Sequence, residues 1–249
     1  MKPYQILVLI LAVVVIAFYF NNPTQEILQP TPTAFIPTAT PIKAITGRSI
    51  FLKLPAINKL DEGVLAEVSV ETGPGNGKVF IAFSEGNPFL STDTQDSILT
   101  ALSVAKKISG ENTDYYNVYY TIDSDSQTVG GRSAGAAFTI ATIAALNEKT
   151  IKQGILITGT IEEDGTIGKV GRIYEKALAL KKAGFKTLIV PEGEGIQKLP
   201  REKCFMQETP DAVIHSCVTE LIDVNVEKET GIQIIEVIHV RDAAGIMLE

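Results

Sequence analysis

The chain contains no tryptophan and only two histidines, His215 and His239. Its two cysteines, Cys204 and Cys217, have a spacing unlike that of zinc-ligand pairs, so no structural metal site is expected. Basic residues are few: 22 Lys and Arg stand against 29 Asp and Glu, a net charge of −7. Gripping nucleic acid needs a basic face, and this balance argues against such a partner. Nucleotide loops are missing as well. No G-x-x-x-x-G-K-[ST] segment occurs. Gly73–Lys78 has glycines and a lysine at the wrong spacing, and Val79 stands where a metal-binding hydroxyl belongs. A hairpin turn is the expected use of that segment. No H-E-x-x-H, C-x-x-C or dinucleotide fingerprint is present, so no cofactor is implied. The scarcity of histidine restricts which bases an enzyme built on this chain could use.

What is present falls into three parts. Residues 1–20 hold an unbroken apolar run, Ile6 to Phe20, preceded by Lys2. As a helix, Tyr4–Phe20 spans about 25 Å, just short of a bilayer core. A cleaved secretory signal and a retained signal anchor are both open. The large residues Phe18, Tyr19, Phe20 and Asn21 offer no small-x-small cleavage site, which favours a transmembrane signal anchor. Lys2 before the run, and no further basic residue until Lys43, favour a cytoplasmic N-terminus with the body outside the cytoplasm. Residues 21–46 interleave five prolines with threonines. Proline removes donors and fixes φ, so this linker reads as a semi-extended stalk.

Residues 47–249 form the globular body, large enough to bury a core of its own. Strand-like segments are Ser49–Ile57, Gly63–Thr72, Lys78–Ser84, Tyr115–Ile122, Ile155–Thr158 and Thr187–Val190, with a hairpin at Ile161–Val170. Helices are expected at Thr92–Ser109, Ser133–Asn147 and Arg172–Ala183; the second is apolar nearly all round and should be buried. The mixed order of strands and helices suggests an α/β or α+β domain.

One segment stands out for chemistry, Gly130-Gly-Arg-Ser-Ala-Gly135. A serine at the start of a buried helix is often only an N-cap. As a nucleophile, Ser133 would gain from free N–H groups and the dipole of the helix start, which could stabilise an oxyanion. Gly131, Ala134 and Gly135 would let a substrate backbone approach. The segment also matches G-x-S-x-G, the elbow of Ser-His-Asp esterases, with His215 or His239 downstream. Against that reading, the polar loop Asp123–Val129 separates the preceding strand from the glycine. The other available base is a lysine. Lys176, set among Ile173, Ala177, Ala179 and Leu180, could act only if burial lowered its pKa toward neutrality.

Taken together, Gly131-Arg-Ser-Ala-Gly135, Thr158-Gly-Thr-Ile161, Gly168-Lys-Val-Gly171, Glu175-Lys176 and Ala183-Gly-Phe-Lys-Thr-Leu-Ile-Val-Pro191 resemble the proteolytic domain of the Lon protease family. The resemblance is clear over Tyr115–Pro191 and less specific on either side. It implies a ribosomal-S5-domain-2-like α/β fold, Ser133 as nucleophile, Lys176 as general base, and Thr158 as the hydroxyl that contacts the lysine amine. The 43-residue separation of Ser133 and Lys176 is the one that family uses. Three residues depart from the pattern: Arg132 stands for proline or aspartate, Gly130 for a frequent aspartate, and Arg172 for a glycine. Arg172 could depress the pKa of Lys176 by like-charge repulsion, or obstruct the cleft. The family's ATPase module has no counterpart among these motifs. The expectation is therefore an ATP-independent, membrane-tethered serine endopeptidase acting on peptides or unfolded segments. A non-hydrolytic Lon-like binding or assembly module is the alternative. The resemblance further implies ring-shaped homo-oligomers. Outside the cell, Cys204 and Cys217 could close a short disulfide loop.

Overall fold

The computed structural model describes residues 49–86, 88–124, 128–209 and 212–249. The expected anchor (1–20) and stalk (21–46) lie outside the described residues. Among those that are described, no helix is long and apolar enough to cross a membrane.

The first sheet begins with β1 (Ser49–Ile57), which pairs antiparallel with β2 (Gly63–Pro74) from Ser49↔Glu71 to Ile57↔Gly63. β3 (Val79–Phe83) does not pair with β2. After β4 (Phe89–Leu90) and helix α1 (Thr92–Ser109), β5 (Tyr116–Asp123) inserts between them, giving the order β1-β2-β5-β3. β5 runs antiparallel to β2 and parallel to β3. The hairpin expected at Gly73–Lys78 is thus not formed; the segment arches over the start of β5. Asn117 supplies the acceptor a hairpin partner would have given: its Oδ1 accepts from the amides of Asn76 and Lys78 at 3.0 and 3.1 Å. Turn residues mark where a chain bends, not which strand it returns to. Along β5 the alternate residues Tyr116, Val118, Tyr120 and Ile122 are buried, the period-two pattern of a sheet with one face on the core.

Helix α1 has the expected bounds. Ser91 caps it by accepting from the Thr94 amide, and Gly110, at φ 72°, ends it with its N–H on Lys106 O. The short strand β6 (Thr128–Val129) runs parallel to β4. Helix α2 (Gly135–Leu146) is buried at every residue. It packs against α1 and against β1 and β2. Its hydroxyls are satisfied within the core. Thr139 donates to Gly135 O at 2.8 Å, Thr142 to Phe138 O at 2.7 Å, and Tyr120 Oη meets Thr142 Oγ1 at 2.7 Å.

A second, parallel sheet follows in the order β13-β10-β7, built from β7 (Ile155–Ile157), β10 (Thr187–Pro191) and β13 (Gln233–Val237). Between β7 and β10 lie a small hairpin, β8 (Thr160–Ile161) with β9 (Ile167–Gly168), and helix α3 (Ile173–Lys182). The chain closes with α4 (Val226–Thr230) before β13 and α5 (Val240–Met247) after it.

One large element was not expected. β11 (Ile196–Thr209) and β12 (Ala212–Asn225) form a two-stranded antiparallel ribbon, paired from Ile196↔Asn225 to Thr209↔Ala212. Phe205, Met206, Val213, Ile214, Val218 and Leu221 are all exposed along it. Both faces meet solvent, so the sequence lacks the alternation that betrays a half-buried strand. Cys204 and Cys217 face each other in register and form a disulfide.

Candidate active site

The loop before α2 is fixed from outside. The cap residue Ser91 and, three residues apart on one face of α1, Thr94 and Ser97 reach this loop. The Ser91 amide donates to Val129 O at 3.0 Å, Thr94 Oγ1 to Gly131 O at 3.2 Å, and Ser97 Oγ to Arg132 O at 3.4 Å. Three loop carbonyls, of Val129, Gly131 and Arg132, are thereby tacked down just ahead of Ser133. These three residues escaped the sequence reading. Their spacing is legible, but only the tertiary contact gives it meaning. Gly131, at φ 99°, takes a backbone conformation that favours glycine. Gly135 is required by space: a Cβ there would come within 2.9 Å of Ile161 N.

Ser133 is not a helix cap. Ala134 occupies the N-cap place and no side chain caps α2. The helix-start amides are in part already used. Gly135 N donates to Arg132 O at 3.1 Å and Ala136 N to Gly159 O at 3.1 Å. Among the described residues no carbonyl accepts from the amides of Ser133 or Ala134. The donors on hand for an oxyanion therefore sit one step earlier than the first turn of the helix.

Lys176 lies in the first turn of α3 and is 2% exposed. Its Nζ donates to Thr158 Oγ1 at 2.9 Å. Thr158, 1% exposed and just after β7, in turn donates to the carbonyl of Ser133 at 3.2 Å, beside the Gly159 amide on the same oxygen at 2.9 Å. A hydroxyl carries one hydrogen. With that hydrogen on Ser133 O, Thr158 can only accept from the lysine, which leaves the amine's lone pair unspent. The serine hydroxyl makes no hydrogen bond to the amine in this structure; such contacts often close only when substrate is bound. Burial lowers the Lys176 pKa from 10.5 to about 8. Desolvation is the whole cause. The like-charge effect expected of Arg172 does not operate, because that guanidinium is paired with Asp61 at 3.0 Å and Glu175 at 3.3 Å. Nor does Arg172 obstruct the cleft, which it does not line. Arg132 turns outward, half-exposed, toward Glu162 at 3.8 Å.

Ser133 opens on a cleft of about 870 Å³. Its walls include Leu54, Ile57 and Leu60 from the β1–β2 hairpin, Val129 and Gly131 from the loop, and Phe138 from α2. Gly131 and Ala134, expected to support the site, both line it. Neither histidine does. His215 sits on the ribbon, and His239 caps α5 while its Nε2 meets Asp164 O at 2.8 Å. The geometry gives the esterase reading no base.

The mixed α/β body thus joins a buried lysine through a threonine to the backbone of a cleft-lining serine, and neither histidine lines that cleft. The chain belongs to the family of the Lon protease (S16) C-terminal proteolytic domain, whose profile matches residues 63–225. Similar proteins include the Lon protease of Escherichia coli, 29% identical over 159 residues, which cover 61% of this chain and 18% of that protein. The Lon protease of Vibrio parahaemolyticus is 29% identical over 136 residues, 52% of this chain and 17% of that one. The archaeal Lon protease of Methanocaldococcus jannaschii is 32% identical over 116 residues, 43% and 18% of the two chains. The match spans less than a fifth of the length of these relatives.

Proposed function

We propose that the body is a serine endopeptidase in which Ser133 attacks and Lys176 takes its proton. The observation that carries this reading is the buried lysine, at a pKa of about 8, tied through Thr158 to the backbone of Ser133. At pH 8 about half of such amines are neutral, enough for a general base. The neutral amine accepts the hydroxyl proton as Ser133 Oγ bonds to the peptide carbonyl carbon. The amides of Ser133 and Ala134 are positioned to receive the oxyanion. The proton then passes from Lys176 to the leaving amine, and an acyl-enzyme remains. Water, deprotonated by the same lysine, releases the acyl group and restores the serine.

An open cleft of this size suits an extended peptide rather than a folded domain, so the substrates are peptides or unstructured segments. Hydrolysis without nucleotide is part of this proposal: cleavage of an unstructured peptide should proceed with no ATP present. The apolar run Ile6–Phe20 supports a tether to a membrane with the body on its outer side. Ring assembly is an expectation for sedimentation analysis. The test is labelling with a fluorophosphonate probe together with cleavage of a quenched casein substrate. Both should occur in the native protein and vanish in Ser133→Ala. A native protein that neither labels nor cleaves would leave the alternative, a Lon-like binding module without hydrolysis.

A further inference from the structure

Three non-glycine residues among those described have positive φ: Asp61, Glu148 and Arg172. Two of them, Asp61 at 62° and Arg172 at 62°, are bonded to each other by their side chains at 3.0 Å. An L-residue in the left-handed region is strained, and it persists where its surroundings over-determine it. Strain at both ends of one ion pair asks what the pair holds.

On one side it holds the turn between β1 and β2. That turn is internally stiff. Asn58 Oδ1 accepts from the amides of Leu60 and Glu62, both at 2.9 Å, and the Asn58 amide donates to Glu62 O at 2.9 Å. Its outer residues, Asn58, Lys59 and Leu60, line the cleft on which Ser133 opens. On the other side the pair holds the start of α3, four residues before Lys176. A second contact joins the same two elements. Gly63 lies so close to the Glu175 carbonyl that a Cβ would fall 1.9 Å from that oxygen. The Asn58–Glu62 turn is therefore a rigid piece leaning on the base-bearing helix at Gly63 and latched to it by Asp61 and Arg172.

We propose that Arg172 is a positioning residue that latches the β1–β2 turn to helix α3 and so sets the substrate-facing wall of the cleft. The proposal rests on the peptidase reading for its kinetic consequence, though not for the latch itself. The Arg172 side chain bonds to Asp61 and Glu175 and to neither Ser133 nor Lys176; only its backbone carbonyl, which any residue supplies, accepts from the Lys176 amide at 3.0 Å. Loss of the side chain should therefore weaken peptide binding and leave the acylation machinery intact. A glycine at 172 would relieve the backbone, so Arg172→Gly should fold at least as well as the parent.

The experiment compares the full chain with Arg172→Gly, Asp61→Asn, the double variant and Arg172→Lys. Hydrogen exchange of the amides of Leu60 and Glu62 should quicken several-fold in Arg172→Gly and Asp61→Asn. KM for an unstructured casein peptide should rise roughly three- to fivefold, the scale of an exposed ion pair, with kcat nearly unchanged. The double variant should be no worse than either single one, and Arg172→Lys should recover most of the loss. Added salt should raise KM in the parent and not in Arg172→Gly. Unchanged exchange in the turn overturns the latch whatever the activity. Faster exchange with unchanged KM, or a fall in kcat alone, overturns its role in the cleft wall. A parent that cleaves no peptide sinks the peptidase reading, and the exchange measurement still decides the latch.

Discussion

Ser133 and Lys176 stand at the starts of two helices, α2 and α3, and the chain treats the two starts in opposite ways. Neither helix caps itself with its own side chain. The start of α2 is held by carbonyls: the amide of the cap residue Ser91 and the α1 hydroxyls of Thr94 and Ser97 grip Val129, Gly131 and Arg132, and Ser133 is left half-buried on an open cleft. The start of α3 is closed over. Gln197 from the ribbon accepts from the Tyr174 amide at 3.0 Å, and Lys176 is buried at 2% exposure. On the proposed reading the contrast has a use: a nucleophile has to meet its substrate, whereas a lysine base has to avoid water. Thr158, donating to one side and accepting from the other, connects the wet end to the dry one.

Breaking the dry end should have the largest effect. Lys176→Met should abolish casein cleavage and, at pH 7, raise the melting temperature. The sign follows from linkage. The folded pKa of about 8 lies below the unfolded value of 10.5, so the unfolded chain binds the extra proton between those limits. Native stability therefore rises with pH from about 8 to 10.5, and the penalty, on the order of 3 kcal/mol, is fully present below pH 8. Melting curves across pH 6–11 should show this rise in the parent and not in the variant, while kcat/KM of the parent should climb with pH and level off above about 8. A Lys176→Met protein that still cleaves casein would remove the base from the scheme.

Cutting the link should come next. Thr158→Val keeps the shape and removes both hydrogen bonds, and kcat/KM should fall on the order of tenfold to a hundredfold by misplacing the amine. At the wet end the combined change Thr94→Val and Ser97→Ala should lower kcat about severalfold through a looser loop, with labelling of Ser133 slowed in proportion. The smallest effect is expected far from both ends. Replacing Cys204 and Cys217 by Ser should move the melting temperature of the body by no more than about 1 °C, because the ribbon they staple packs on little else. Differential scanning calorimetry with and without reductant checks it.

Much of this contrast was legible in the residues. Helix α1 came out with its bounds because Ile98, Leu102 and Ala105 repeat at helical spacing and Gly110 stops it. Helix α2 declared its burial by being apolar all round. The serine and lysine were less visible: spacing alone made Lys176 one lysine among several, and only the resemblance singled it out. Burial, the property that matters for its chemistry, depends on β7, α3 and Thr158 meeting in space. The same holds for the α1 hydroxyls and for Asn117, whose acceptor lets β5 part β2 from β3. Local pattern reports periodicity and turns; it does not report partners. The ribbon failed for a different reason, since a strand wet on both sides has no alternation to display.

The pairing of that ribbon has a practical corollary for anyone redesigning the molecule. Leu199 and Ile222 face one another across two strands that rejoin the body together. A tight two-residue bend spliced between them would bypass the whole stapled arm while sparing Gln197, the residue that reaches α3. The arm is in this sense a cassette: it can be shortened, lengthened or exchanged at one junction without redrawing the interior.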